Sequence, residues 1–135
     1  MYLLDTNACI CIIKNSSKFL VNRLREAGCN DVKLCSIVKA ELLYGAYHSA
    51  YVEKNLSLLK KFFVPFECLP FDDDCAEQYG KIRSKLSSEG LLIGPNDLMI
   101  ASTAMANNLT IITHNTGKFK RIHGLKIEDW QSETV

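Results

Sequence analysis

No stretch of this chain comes near the roughly 20 consecutive apolar residues that a membrane helix needs, so no spanning segment and no membrane partner is expected. Met1 leads straight into Tyr2-Leu3-Leu4-Asp5 without a basic start, so no secretory signal is expected and the cytoplasm is the expected compartment. There is no internal repeat, no linker and no low-complexity stretch, which points to a single domain over residues 1–135. Cys9-x-Cys11 lacks the usual zinc spacing and has no second pair, which argues against a structural zinc. In a chain that is not secreted, the six cysteines are expected as reduced, buried thiols. Nucleotide-binding loops are missing as well. Gly117-Lys118 is followed by Phe119 rather than Ser or Thr, and no G-x-G-x-x-G occurs. No Ser-His-acid or Cys-His arrangement announces itself.

One absence is local. Between Leu98 and Ile127 there is no Asp or Glu, while the same stretch holds Lys118, Lys120, Arg121 and Lys126. The net charge of +1 therefore conceals a basic segment suited to a polyanion, although a solvated surface loop has the same composition. Asp72, Asp73, Asp74 and Glu77 crowd another short segment, where carboxylates at a helix start explain them.

What is present is an ordinary globular composition, with 47% apolar and 23% charged residues. A chain of 135 residues buries about two-thirds of its unfolded surface. Short apolar runs alternate with helical patterns. Tyr2-Leu3-Leu4, Val32 to Cys35, Phe66 to Leu69, Leu109 to Thr113 and Leu125 to Ile127 read as strands. Helices are expected over 16–27 behind a Ser16 or Ser17 cap, from Ser36 to about His48, over 51–63, from Asp72–Asp74 to Gly90, and from Pro95 to Asn107-Asn108. Strands separated by helices predict an α/β fold, a parallel central sheet with helices on both faces. Ligands bind such sheets beyond the carboxyl ends of the strands.

Three acids fall at such places. Asp5 directly follows the first strand and precedes Thr6-Asn7. Glu41 shares a helix face with Ile37 and Tyr44, at spacings of four and three. Asp97 follows Gly94-Pro95-Asn96 in a first helical turn. Each has an ordinary explanation: Asp5 as a helix cap, Glu41 as a boundary residue reaching solvent, Asp97 as a partner of the helix dipole. Taken together, none is matched by an adjacent Lys or Arg, and like charges brought together raise one another's proton affinity. A hard divalent cation relieves that repulsion, and carboxylate oxygens suit Mg2+ or Mn2+.

The motifs carry a resemblance. Tyr2-Leu3-Leu4-Asp5-Thr6-Asn7 resembles the opening strand and first acid of PIN-domain nucleases. Ser36-Ile37-Val38-Lys39-Ala40-Glu41-Leu42-Leu43-Tyr44-Gly45 resembles the second signature, and Gly94-Pro95-Asn96-Asp97-Leu98-Met99-Ile100-Ala101 the third. Leu109 to Asn115 is similar to the last core strand and its loop. Gly124 to Trp130 is similar to the close of the VapC branch, the toxins of bacterial toxin–antitoxin pairs. The resemblance implies a PIN-like fold with Asp5, Glu41 and Asp97 as catalytic metal ligands for Mg2+ or Mn2+. It also implies hydrolysis of a phosphodiester bond in RNA, a transfer RNA or a ribosomal RNA loop, and inhibition by a VapB-like antitoxin. Homodimers are common in that branch. Thr6, Asn7, Asn96, Thr113 and Asn115 would then orient ligands or substrate. Lys118, Lys120, Arg121 and Lys126 would border the acids and meet the RNA backbone.

The loop after the last core strand departs from the pattern. Asn115 offers a neutral oxygen, and Lys118 stands where some close relatives have a fourth acid, which weakens the case for a second metal. These departures leave a second reading, a catalytically inactive PIN-like module that binds RNA or protein. A phosphoryl-accepting signalling domain is opposed by the lack of a second acid beside Asp5.

Overall fold

The computed structural model describes residues 1–132. Five parallel strands form one sheet in the order β3-β2-β1-β4-β5. They are β1 (Tyr2–Leu4), β2 (Val32–Cys35), β3 (Glu67–Leu69), β4 (Thr110–Ile112) and β5 (Ile127–Glu128). β1 is central, with Tyr2 beside both Val32 and Thr110. The chain moves from β1 to β3 in one direction, then returns past β1 to β4. Right-handed crossovers in opposite directions lay helices on opposite faces, so the sheet is covered on both, as expected. The reversal lies between β1 and β4, where a doubly wound sheet opens its crevice.

Among the described residues, seven α-helices accompany the strands: α1 (Thr6–Lys14), α2 (Lys18–Ala27), α3 (Ser36–Tyr47), α4 (Val52–Phe63), α5 (Asp73–Ser88), α6 (Pro95–Ala106) and α7 (Thr116–Phe119). Capping chemistry sets several boundaries. Ser17 accepts from the Leu20 amide and Asp72 from the Cys75 amide, at 3.3 and 3.0 Å, each satisfying a donor that the helix leaves free. Asp72 as a cap accounts for part of the acidic run. Gly90 takes φ 69° just past α5, and Asn108 takes φ 53° just past α6. Both are the left-handed conformation that stops a helix, which glycine and asparagine tolerate best.

Leu3, Leu4, Leu34, Ile111 and Ile112 are fully buried, so the short central strands run through the core. Trp130 is buried at the edge beyond β5, with its ring 4.8 Å from Tyr2 in an edge-on contact. Such a contact adds about 0.5–1.5 kcal/mol to the area it buries.

Two helices were not expected. α1 begins where Asp5-Thr6-Asn7 reads equally as a turn. Its next residues, Ala8 to Ile13, are apolar all round, so they carry no amphipathic period. α7 is a four-residue turn, too short for any periodicity. The last strand also starts later than expected, at Ile127 rather than Leu125. Among the described residues, no helix is long and apolar enough to cross a membrane.

Candidate active site

Asp5 occupies the carboxyl end of the central strand. Its amide donates to the Ile112 carbonyl at 3.1 Å, which ties the end of β1 to β4. Its Oδ1 accepts from the Ala8 amide at 2.8 Å, so it caps α1. The cap explanation is therefore true, and it does not exhaust the residue. One carboxylate oxygen caps the helix while the whole group stays only 5% exposed. Burial pushes the Asp5 carboxyl above its ordinary value. Hydrogen bonds from Thr113 and Ala8 oppose that push, the Asp97 charge adds to it, and Lys118 lowers it. Asp5 thus shares its surroundings with one acid and one base from the far side of the chain.

Asp97 lies in the first turn of α6, where Pro95 presets the backbone. Its Oδ2 receives the Lys118 ammonium at 2.6 Å. No Lys or Arg adjacent in sequence matches any of the three acids, but the fold brings one to Asp97 from afar. Lys118 is 21 residues away in sequence, so adjacency could not reveal it.

Glu41 is half-buried on α3. Thr6 donates its hydroxyl to Oε1 at 2.6 Å, and Asn96 donates its amide to Oε2 at 3.4 Å. Each donor is the chain neighbour of another acid, Thr6 of Asp5 and Asn96 of Asp97. The three signatures therefore meet at one place, and Glu41 is held there by neutral donors. An open groove of about 580 Å³ beside it is lined by Thr6, Ile37, Glu41, Tyr44, Asn96 and Met99.

Thr113, buried at the end of β4, hydrogen-bonds to Asp5 and accepts the Asn115 amide at 3.0 Å. The Asn115 and Asn7 side chains are exposed at the same edge, beginning α7 and α1. Among the described residues, no acid is hydrogen-bonded to either side chain.

Lys118 is half-buried, and its ammonium is engaged by Asp97. Lys120 and Arg121 follow α7 and are exposed. Arg121 reaches the Leu91 and Leu92 carbonyls at 3.5 and 3.2 Å, on the loop that leads into α6. Lys126 corrects an expectation. It precedes β5 and reaches Asn108, which precedes β4. In a parallel sheet that is the amino-terminal edge, opposite the acids. Sequence distance from Asn115 gave no warning, since a strand reverses which edge a neighbour reaches. His114 Nδ1 lies 3.0 Å from Asp129 Oδ2, a pair that neither acid spacing nor element ends could have signalled.

Divalent-cation chemistry can be tested on the donors themselves. Among the described residues, no three His, Cys, Asp or Glu side chains are close enough together to hold one ion. Asp5 and Asp97 nevertheless supply hard anionic oxygens in a half-closed place, and a cation, the Lys118 ammonium, is already drawn to Asp97. Carboxylate oxygens are the ligand class that Mg2+ or Mn2+ prefers, and the Asp97 charge is near enough to act on Asp5.

Comparison with known proteins identifies the family. The model of the PIN domain family matches residues 2–125. Ribonuclease VapC2 of Rickettsia felis is 42% identical over 131 residues, which cover 96% of this chain and 98% of that protein. The tRNA(fMet)-specific endonuclease VapC of Salmonella typhimurium is 39% identical, over 96% of this chain and 97% of its own length. Among solved structures, the crystal structure of VapBC2 from Rickettsia felis, bound to a DNA fragment from the promoter, superposes with a TM-score of 0.90. There the identity is 41%, over 96% of this chain and 98% of that one.

Proposed function

The chain belongs to the PIN-domain family, on its VapC branch, and from that membership we propose that it is a metal-dependent endoribonuclease, the toxin of a type II toxin–antitoxin pair. The observation that carries the reading is the meeting of Asp5, Asp97 and Glu41 at the carboxyl edge of a parallel sheet. Relatives named as a ribonuclease and as a tRNA(fMet)-specific endonuclease support RNA as substrate, with transfer RNA ahead of a ribosomal RNA loop.

Asp5 and Asp97 would hold Mg2+ or Mn2+, with Glu41 completing the set. When bound, the ion supplies Lewis-acid stabilisation of the phosphodiester oxygens and makes water a better nucleophile. The chain's own groups do the rest. Glu41, aimed by Thr6 and Asn96, takes the proton of the attacking water as the new phosphorus–oxygen bond forms. The old bond breaks toward the leaving oxygen, which is protonated from solvent. Thr113 steadies Asp5, and Asn7 and Asn115 are exposed donors for the substrate. Lys120 and Arg121 give the phosphate chain a positive border.

A VapB-like antitoxin is the proposed partner, supported by the similarity to a solved toxin–antitoxin complex. A largely apolar groove of about 330 Å³ is lined by Ile10, Ile13, Leu42, Ala46, Leu58 and Leu59 and suits an amphipathic segment of such a partner. Glu41 also lines it, so an occupant would touch the catalytic set. Tyr44, Tyr47 and Tyr51 are each about two-thirds exposed, which suits a homodimer contact nearby. Six free thiols fit action in the cytoplasm.

The Lys118–Asp97 ion pair favours a second reading, a module that keeps the fold and has lost cleavage. Controlled expression followed by sequencing of RNA 5′ ends separates the two. A toxin yields new ends at one site, suppressed by coexpressed antitoxin. An inactive module yields none.

A further inference from the structure

Lys118 is the only base that forms an ion pair with any of the three acids among the described residues. Asp5 has neutral donors, the Ala8 amide and the Thr113 hydroxyl, and Glu41 has Thr6 and Asn96. The contact is short at 2.6 Å, just under the usual range of about 2.7–2.9 Å for a charge-assisted N–H···O hydrogen bond. Neither partner is freely solvated, with side chains 32% and 30% exposed, so salt screens the pair less than a surface pair.

The lysine is also placed rather than merely nearby. Phe119 and Ile122, the neighbours that anchor this turn, are 1% and 4% exposed. The turn is closed by the Lys120 amide on the Thr116 carbonyl at 2.9 Å. The backbone that carries Lys118 is therefore fixed by folding, and pairing costs only the rotamer freedom of its side chain.

Electrostatics then sets a competition. Asp5 and Asp97 repel one another where Asp5 is buried, and one ammonium neutralises only half of their charge. A divalent ion held by Asp5 and Asp97 would neutralise both, and Lys118, bonded to Asp97 Oδ2, would compete with it for that carboxylate. We propose that Lys118 is a tethered counter-cation of the Asp5–Asp97 pair: it supports the site when no divalent ion is bound, and it competes with that ion for Asp97. The inference rests on the metal-site reading above. Lys118 is here a positioning and tuning residue that need not touch RNA.

Lys118→Met removes the charge and keeps the stem, and Lys118→Arg keeps the charge. Mn2+ binding is measured by calorimetry, and melting is followed in chelator and in saturating Mn2+. Lys118→Met is expected to melt about 2–5 °C below the parent in chelator. It is expected to bind Mn2+ roughly tenfold more tightly, since the competitor is gone. The melting order should then reverse in saturating Mn2+, because tighter binding to the folded state stabilises it more. Lys118→Arg should follow the parent in all three measurements. Mn2+ affinity that is unchanged or weaker in Lys118→Met overturns the inference while leaving the metal site standing. So does a melting deficit that is the same with and without Mn2+, the mark of a merely structural ion pair. If neither protein binds Mn2+, the inference and the metal-site reading both fall. If only Lys118→Met binds it, the competition is complete and the inference stands.

Discussion

The Thr6 hydroxyl donates to Glu41 Oε1 at 2.6 Å, joining two residues 35 positions apart across the start of α1 and the middle of α3. Thr6 adjoins Asp5, so a single dipeptide supplies one acid and the group that aims another. A hydrogen bond to a charged acceptor contributes about 1.5–3 kcal/mol, and part of that is lost where water can replace it. Thr6→Val should therefore lower kcat for RNA cleavage roughly tenfold, with little change in melting temperature. Thr6→Ser should restore most of the rate. Equal activity in Thr6→Val and the parent would remove Thr6 from the site.

The two ends of the sheet make a second contrast. Lys120 and Arg121 stand on the turn beside the acids, and Lys126 stands at the far edge with Asn108. Every side chain that neutralises a phosphate of a single strand steepens the fall of log K with log salt by about 0.7. Lys120→Ala with Arg121→Ala is expected to weaken RNA binding and flatten that slope, leaving the cleavage position unchanged. Lys126→Ala is expected to leave the slope alone. The reverse pattern would place the RNA path on the opposite edge.

A third expectation concerns the buried thiols. Burial pushes the Cys35 thiol up to about 11 from its ordinary 9.0. The folded chain holds that proton longer than the unfolded one does. The stability tied to Cys35 is thus whole below pH 9 and is lost as pH rises toward 11, at about 1.4 kcal/mol per pH unit within that window. Denaturant titrations from pH 8 to 11 should show a shallower fall for Cys35→Ala than for the parent. Identical slopes would contradict the assignment.

Much of this architecture was legible in the residues, for reasons that can be named. β2 carries apolar Val32, Leu34 and Cys35 in a short run just before the Ser36 helix start, and it falls at Val32–Cys35 as expected. Ser17, Asp72 and Pro95 are strong start signals, and α2, α5 and α6 begin beside them. The three signatures were legible as separate acids, each with an ordinary explanation. Their meeting was not, because it depends on β4 lying beside β1 and on α6 entering from the other side. α1 escaped because its apolar residues have no period, and α7 because it is a single turn. Lys118 reads as a surface base for the same reason. Without α7 there is nothing to carry its ammonium back to Asp97, and only the folded chain joins them. Lys126 goes to the wrong edge in the sequence because distance along the chain says nothing of which end of a sheet a residue reaches.

The central claim is that Asp97 serves a metal-dependent RNA cleavage. Asp97→Asn keeps the shape of the side chain and its place in the first turn of α6, and removes the charge a divalent ion needs. The direct measurement is cleavage of purified transfer RNA by parent and Asp97→Asn in Mn2+ and in chelator, with melting curves of both proteins. The expected result is parent cleavage that requires Mn2+, loss of at least about a hundredfold in Asp97→Asn, and cooperative melting in both. A folded Asp97→Asn protein that cuts RNA like the parent, or a parent that cuts as well in chelator, would contradict it.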